Sequence, residues 1–440
     1  MSDATSMAED FASGRSDPVQ ALEQALVHAS MAPNVFICLT AERARREAEA
    51  AAARWRAGQP LSVFDGVPLA WKDLFDVAGS VTTAGAAYRR NAPAALLDAP
   101  SVGLLCRAGM VSVGKTNLSE LAYSGLGLNP HFGTPFNPNS SDQARIPGGS
   151  SSGSAVAVAA GIVPIAMGTD TAGSIRIPAA LNGVVGYRSS SRRYSRDGVF
   201  PLAHTLDSLG PLTRSVRDAL AIDDLLNGRR QTHSARSLKG QRFVLALQEA
   251  EPAVRNNLLR AVEQLKAQGA LIEERECPTF EATLALIKDH GWLGSFEAFA
   301  LHEALLESPD AEQLDPRVRR RLEAARMLPA SQLLHLVDAR RRLQQQLVDD
   351  LDGAILITPT VAHVAPALAP LEADDDLFVK TNLATLRLTM PGSLLDMPGV
   401  TLPSGRDASG LPTGLLLSAP TGEDARLLRA ALSVESVLNV

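Results

Sequence analysis

Apolar positions along this chain fall into short extended runs separated by stretches with helical spacing. Asp17-Pro18 opens the first such stretch, with a carboxylate able to cap free N–H groups and proline in the first turn. Residues 19–29 then carry apolar side chains at helical spacing, 35–39 read as a short strand, and Thr40 starts an Ala/Arg/Glu helix over 41–57. Residues 66–73 form a buried-looking strand that ends in the charged pair Lys72-Asp73. A polar turn at 81–85, a helix at 101–108, a strand at 110–113 and a helix at 117–123 follow. Residues 124–147 form a long Pro/Asn/Gly loop, a length more often functional than idle. Beyond the central segment described below, 183–187 read as a strand, and 192–217 run through turns into a helix. The polar stretch 227–241 is the best linker candidate, although it lacks Pro/Gly/Ser bias. A strand at 243–247, an amphipathic helix at 252–268, helix over most of 280–350, strand-like runs at 354–358 and 399–402 and a helix at 423–437 complete the chain. Residues 1–16 are expected to be disordered. The alternation predicts an α/β architecture, and with no internal repeat it suggests one large domain over 17–440, with 227–350 as a variable helical part.

The densest chemistry lies at residues 148–176. The run Gly148-Gly149-Ser150-Ser151-Ser152-Gly153-Ser154 has almost no side-chain bulk; an Ala/Val stretch and an apolar strand at 162–167 follow. A second small-residue loop, Gly168-Thr169-Asp170-Thr171-Ala172-Gly173-Ser174, comes next. Two serines, Ser150 and Ser174, therefore sit on two loops joined by one helix and one strand. Small residues let backbone N–H groups approach a reacting atom closely, and consecutive N–H groups in such loops make anion-binding nests. That is the material of an oxyanion hole beside a nucleophile.

Composition narrows the setting. A chain of 440 residues, 45% hydrophobic and 20% charged, is ordinary for a soluble globular protein. A net charge of −6 argues against general nucleic-acid binding. Cys38, Cys106 and Cys277 are too scattered for a disulfide framework or a zinc site. No apolar stretch reaches the length of a membrane span, and the polar, acidic N-terminus is no signal peptide. The expected setting is a reducing cytoplasm, without metal or cofactor.

Three other motif matches compete with the two serines. Gly109-x4-Gly114-Lys115-Thr116 fits a phosphate-binding loop, but its interior reads as a strand rather than as a loop following one. Ser112-x-x-Lys115 fits a serine–lysine pattern that needs a helix start there. Gly149-Ser150-Ser151-Ser152-Gly153 fits the Gly-x-Ser-x-Gly elbow centred on Ser151, which needs a strand immediately before it and a histidine after it. Later histidines exist, so an esterase-like use of Ser151 stays open. Lys72 is one of two lysines before residue 239 and closes an apolar run. Taken alone it reads as a strand-end lysine reaching water beside Asp73; taken with two loop serines it is a candidate base, because burial favours the uncharged amine.

Together these residues resemble the amidase signature family. That family carries a Gly-Val-Pro-x-x-x-Lys-Asp stretch, a Gly-Gly-Ser-Ser-Gly run and an Asp-x-Gly-Gly-Ser-Ile-Arg run. Here Gly66-Val67-Pro68 leads to Lys72-Asp73, Gly148-Gly149-Ser150-Ser151 stands at the second run, and Asp170-Thr171-Ala172-Gly173-Ser174-Ile175-Arg176 stands at the third. Ser150 and Ser174 keep the family's spacing, 24 positions apart. Ala172 replaces the first glycine of the third run, as in the amidase domain of allophanate hydrolases, which stand-alone bacterial amidases accompany as the most similar kind. Gly186-Tyr187-Arg188-Ser189-Ser190 departs from the family's Gly-Leu-Lys-Pro-Thr. The resemblance implies a mixed β-sheet of about ten or eleven strands covered by helices on both faces. It also implies hydrolysis of a small-molecule carboxamide by a Ser–cis-Ser–Lys triad. In that scheme Ser174 is the nucleophile, Ser150 and Lys72 relay its proton, and the N–H groups of Thr171, Ala172, Gly173 and Ser174 hold the oxyanion. The Gly149–Ser150 peptide is expected to be cis. Ser151, Asn129, Gly125 and Arg176 become candidates for contacting substrate, with 124–137 and 280–345 as the segments expected to line the pocket. A glutaminase-type subunit supplying ammonia to a partner is the alternative, and a homodimer or a small accessory subunit both stay open.

Overall fold

The computed structural model describes residues 2–229 and 231–438. Its strands are β1 (Phe36–Leu39), β2 (Pro68–Lys72), β3 (Val111–Thr116), β4 (Ile165–Asp170), β5 (Val185–Arg188), β6 (Ser208–Thr213), β7 (Arg242–Leu245), β8 (Leu271–Glu274), β9 (Ile355–Pro359), β10 (Gly399–Arg406) and β11 (Pro412–Ser418). They form one sheet of 11 strands in the order β1-β3-β2-β4-β6-β5-β10-β11-β9-β7-β8. The sheet is mixed: β2 runs parallel to β3 and β4, whereas β6 runs antiparallel to β4 and β5.

Alternation along the central strands separates two helix layers. In β2, Leu69 and Trp71 face one core with Phe75, Leu105 and Val216, while Ala70 faces the other with Leu22, Val113 and Val158. Ile165 and Met167 against Ala166 repeat the division in β4. Strand side chains alternate between faces, so Lys72 shares the face of Ala70, where the helix Ser152–Ala159 packs.

Several expectations are corrected. Of residues 1–16, expected to be disordered, Met1 lies outside the described residues, and Ala4–Ser13 is a helix, with Asp3 as its cap and Phe11 buried. Ala4, Ala8 and Phe11 fall at helical spacing and pack against the core, and the Ala4 and Thr5 N–H groups donate to Asp218. The helix expected at 117–123 is a short 3-10 turn, Glu120–Ala122, with Leu121 at φ +50°. Strands β6 and β8 were hidden, the first by Gly210-Pro211 and the second because an exposed edge strand needs little apolar patterning. The stretch 227–241 does not divide the sheet, since β7 pairs with β9 and β8; Arg230 lies outside the described residues. Among the described residues no helix is long and apolar enough to cross a membrane.

Candidate active site

Parallel neighbours β2 and β4 end at Lys72 and Asp170, at the carboxyl edge where open α/β sheets receive ligands. Lys72 is fully buried, and its Nζ donates to Ser150 Oγ at 2.7 Å and to Thr169 Oγ1 at 2.8 Å. Burial pushes the Lys72 pKa from 10.5 down to about 7, against the opposing pull of Asp170 and Asp207.

Ser150 reaches the lysine from the tight loop that precedes the helix Ser152–Ala159. The Gly149–Ser150 peptide is cis. Backbone bonds hold this loop on three sides: Gly149 N–H to Gly125 O at 2.7 Å, Ser119 N–H to Ser150 O at 3.2 Å, and Ser151 N–H to Ser174 O at 3.2 Å. Only glycine fits at 149, where a Cβ would lie 2.6 Å from the Gly127 nitrogen and 2.8 Å from Ser119 Oγ.

The loop carrying Ser174 is built around Asp170. Its carboxylate accepts the Gly173 N–H at 2.8 Å and the Ile175 N–H at 3.1 Å, and it pairs with the Arg176 guanidinium at 2.9 Å. Arg188 Nε adds a second positive charge 3.6 Å away. Burial alone would raise the Asp170 pKa, but Arg176 and Arg188 outweigh it and hold the carboxyl at about 2. The rest of the loop is pinned by Thr171 Oγ1, which donates to Asp207 at 2.5 Å, and by Thr389 Oγ1, which donates to Ala172 O at 2.6 Å. Among the described residues, no hydrogen bond is found from the N–H of Thr171, Ala172 or Ser174, nor to the Ser174 hydroxyl. The Gly173 N–H is committed to Asp170, so it is not available for the oxyanion role expected of it.

Ser174 opens on a narrow cavity of about 20 Å³, walled by Tyr123, Leu202, Trp292, Arg321 and Leu386. More capacious hollows lie elsewhere, including one of about 880 Å³ beside Cys38, Arg46 and Phe132. Size does not make those hollows reactive; the titratable amine and the unpartnered N–H groups are here.

The residues expected to contact substrate are corrected individually. Arg176 is fully buried in its ion pair with Asp170 and donates to Ser393. Asn129 is spent inside the loops, donating to Gly85 O and Leu118 O and accepting from His131 and Phe132 N–H. Gly125 carries the Gly149 contact and donates to Asn382 Oδ1. Ser151 is buried and donates to Thr169 O at 3.2 Å, with no histidine partner among the described residues, which removes the elbow reading. Of the two expected pocket segments, 280–345 supplies Trp292 and Arg321, while 124–137 supplies only Ser124. Tyr123 and Leu386 had no sequence signal. The phosphate-loop match also fails: Val111–Thr116 is extended strand, and Lys115 is buried against Asp73 at 2.7 Å.

The model of the family described as Amidase matches residues 19–428. The chain belongs to the amidase family. The 2-amino-5-chloromuconic acid deaminase of Comamonas testosteroni is 33% identical, over 93% of this chain and 90% of that protein. The mandelamide hydrolase of Pseudomonas putida is also 33% identical, over 92% of this chain and 85% of that protein. Among solved structures, one described as a crystal structure of amidase superposes with a TM-score of 0.86 at 34% identity, covering 100% of both chains. This amidase-family chain is thus a hydrolase of carbon–nitrogen bonds, and its sheet is the one its structural neighbours share.

Proposed function

We propose that the protein hydrolyses a small-molecule carboxamide through an acyl-enzyme on Ser174. The observation that carries this reading is the Lys72–Ser150 pair: a buried amine near neutrality, 2.7 Å from a hydroxyl on the loop beside Ser174. The neutral amine accepts the Ser150 proton while Ser150 Oγ accepts the proton of Ser174. Ser174 Oγ bonds to the amide carbon, and the carbonyl electrons move onto oxygen. The free N–H groups of Thr171, Ala172 and Ser174 receive that oxyanion; removing one such donor from an acyl-transfer site costs about 100- to 1000-fold in rate. As the carbon–nitrogen bond breaks, Ser150 gives a proton to the leaving amine and is replenished from the Lys72 ammonium. Water then adds to the acyl group with the same relay taking its proton, releasing carboxylate and restoring Ser174. Catalytic hydrogen bonds often tighten only in the substrate complex, which is compatible with the free Ser174 hydroxyl.

The test is covalent labelling with a fluorophosphonate, read by intact mass and peptide mapping, together with Ser174→Ala. The expected result is one adduct on Ser174, and a folded S174A protein with neither adduct nor amidase activity. An adduct on Ser151, or unchanged amide turnover in S174A, would overturn the reading.

A further inference from the structure

We infer that the substrate amide carries a carboxylate, and that Arg321 is the residue that selects it. The inference rests on Ser174 being the nucleophile, and deepens that reading into a substrate class. Arg321 contributes the one charged side chain to the walls of the Ser174 cavity among the described residues. It lies on the helix Pro316–Ala325, whose other arginines are each neutralised. Arg317 pairs with Asp315 at 2.8 Å, Arg319 with Glu312 at 2.8 Å and Glu323 at 2.9 Å, and Arg320 with Asp375 at 2.6 Å. Arg321 has no carboxylate partner among the described residues.

What does hold Arg321 leaves its charge unspent. One nitrogen, Nη1, donates to Tyr123 O at 2.8 Å, and the guanidinium lies over the Tyr123 ring, 4.1 Å from its centroid. A guanidinium has five N–H donors in a fixed fork, so the carbonyl and the ring face orient it without using up its capacity for a planar, bidentate anion. The remaining walls are apolar or hydroxylic, with Leu202, Trp292 and Leu386 against Ser124 and Thr171. Among the described residues such a lining holds no carboxylate to balance a cationic group, and Arg321 repels one. A carboxylate forked onto the guanidinium would orient the amide toward Ser174.

The experiment compares fluorophosphonates whose short alkyl chains end in a carboxylate, a methyl group or an ammonium, timing Ser174 adduct formation by intact mass. In the wild-type protein the carboxylate probes are expected to react about 10- to 100-fold faster than the methyl probes of equal length, the worth of one charge-assisted pair. Ammonium probes should be slowest. Arg321→Gln should bring the carboxylate-to-methyl ratio near one, and Arg321→Lys, which keeps the charge but not the fork, should retain part of it. The wild-type comparison stands by itself if R321Q does not fold. Equal rates for carboxylate and methyl probes at every length, or a preference that survives in folded R321Q, would overturn the inference and leave Ser174 as nucleophile. Absence of any Ser174 adduct would instead defeat the acyl-enzyme reading, and this inference with it.

Discussion

Lys72 ties activity and stability to the same buried amine, so its titration should be visible in both. An amine at 10.5 is neutral in about one molecule in 3000 at pH 7. With its pKa near 7, about half of the Lys72 side chains are neutral there, a gain of roughly a thousandfold in competent base. The rate of Ser174 acylation, followed by fluorophosphonate labelling or as kcat/KM on an amide, should therefore rise with pH to a plateau with a midpoint near 7. The same burial has a thermodynamic cost. The folded state holds the amine less protonated than the unfolded chain, so stability is gained as pH rises from about 7 toward 10.5 and is lost in the other direction. Each tenfold change in proton affinity is 1.36 kcal/mol, which makes the penalty below pH 7 about 5 kcal/mol, as an order of magnitude. Lys72→Met removes the charge and keeps much of the volume. It should abolish labelling of Ser174, yet unfold at higher urea concentration than wild type at pH 6, with the difference shrinking by pH 9.5. An activity midpoint above 9, or a K72M protein less stable than wild type at pH 6, would refute the argument that burial lowers this pKa.

Other outcomes follow from the neighbouring charges. Lys115→Met should leave Asp73 buried and unpaired at a cost of about 3–5 kcal/mol; urea melts will register that loss while turnover per folded molecule stays well above that of K72M, and tight ATP binding by the wild type that K115M loses would contradict the strand assignment. Asp170→Asn removes the counter-charge of Arg176 and leaves Arg188 with Asp396 alone, 3.5 Å away, and is expected to cost about 3–5 kcal/mol as a drop in unfolding midpoint. Burial raises the carboxyl pKa of Asp218 to about 6 and of Glu435 to about 7. Raised carboxyls favour the folded state below about pH 4 and lose that contribution as pH climbs from there to about 7, so hydrogen exchange across Ala4–Ser13, corrected for the intrinsic pH dependence, should be faster at about pH 7 than at about pH 4.5; pH-independent protection would argue against docking through Asp218.

Much of this protein could be read locally. Proline at the helix start Pro18–Met31, the apolar runs of β1 to β4, and the small-residue loops around Ser150 and Ser174 are short-range patterns, and short-range sterics suffice to interpret them. Reading failed where local signal and tertiary demand diverge. Ala4, Ala8 and Phe11 earn their order only from the core they dock on, and Gly210-Pro211 looks like a turn until β4 and β5 pair on either side of it.

The candidate site divides along the same line. Spacing and residue type picked out Lys72, Ser150 and Ser174 as a set, but the depth that lowers the Lys72 pKa is a property of the packed sheet and the helix Ser152–Ala159. The arginines make the point most directly. Arg176 lies two residues after Ser174 and invites a substrate role, while Arg321 is a member of an unremarkable basic run nearly 150 positions later. Charge is written in the sequence, whereas neutralisation is not. Only the folded chain brings Asp170 against Arg176 and leaves Arg321 over Tyr123 at the cavity wall, because an ion pair depends on distances that long-range packing sets.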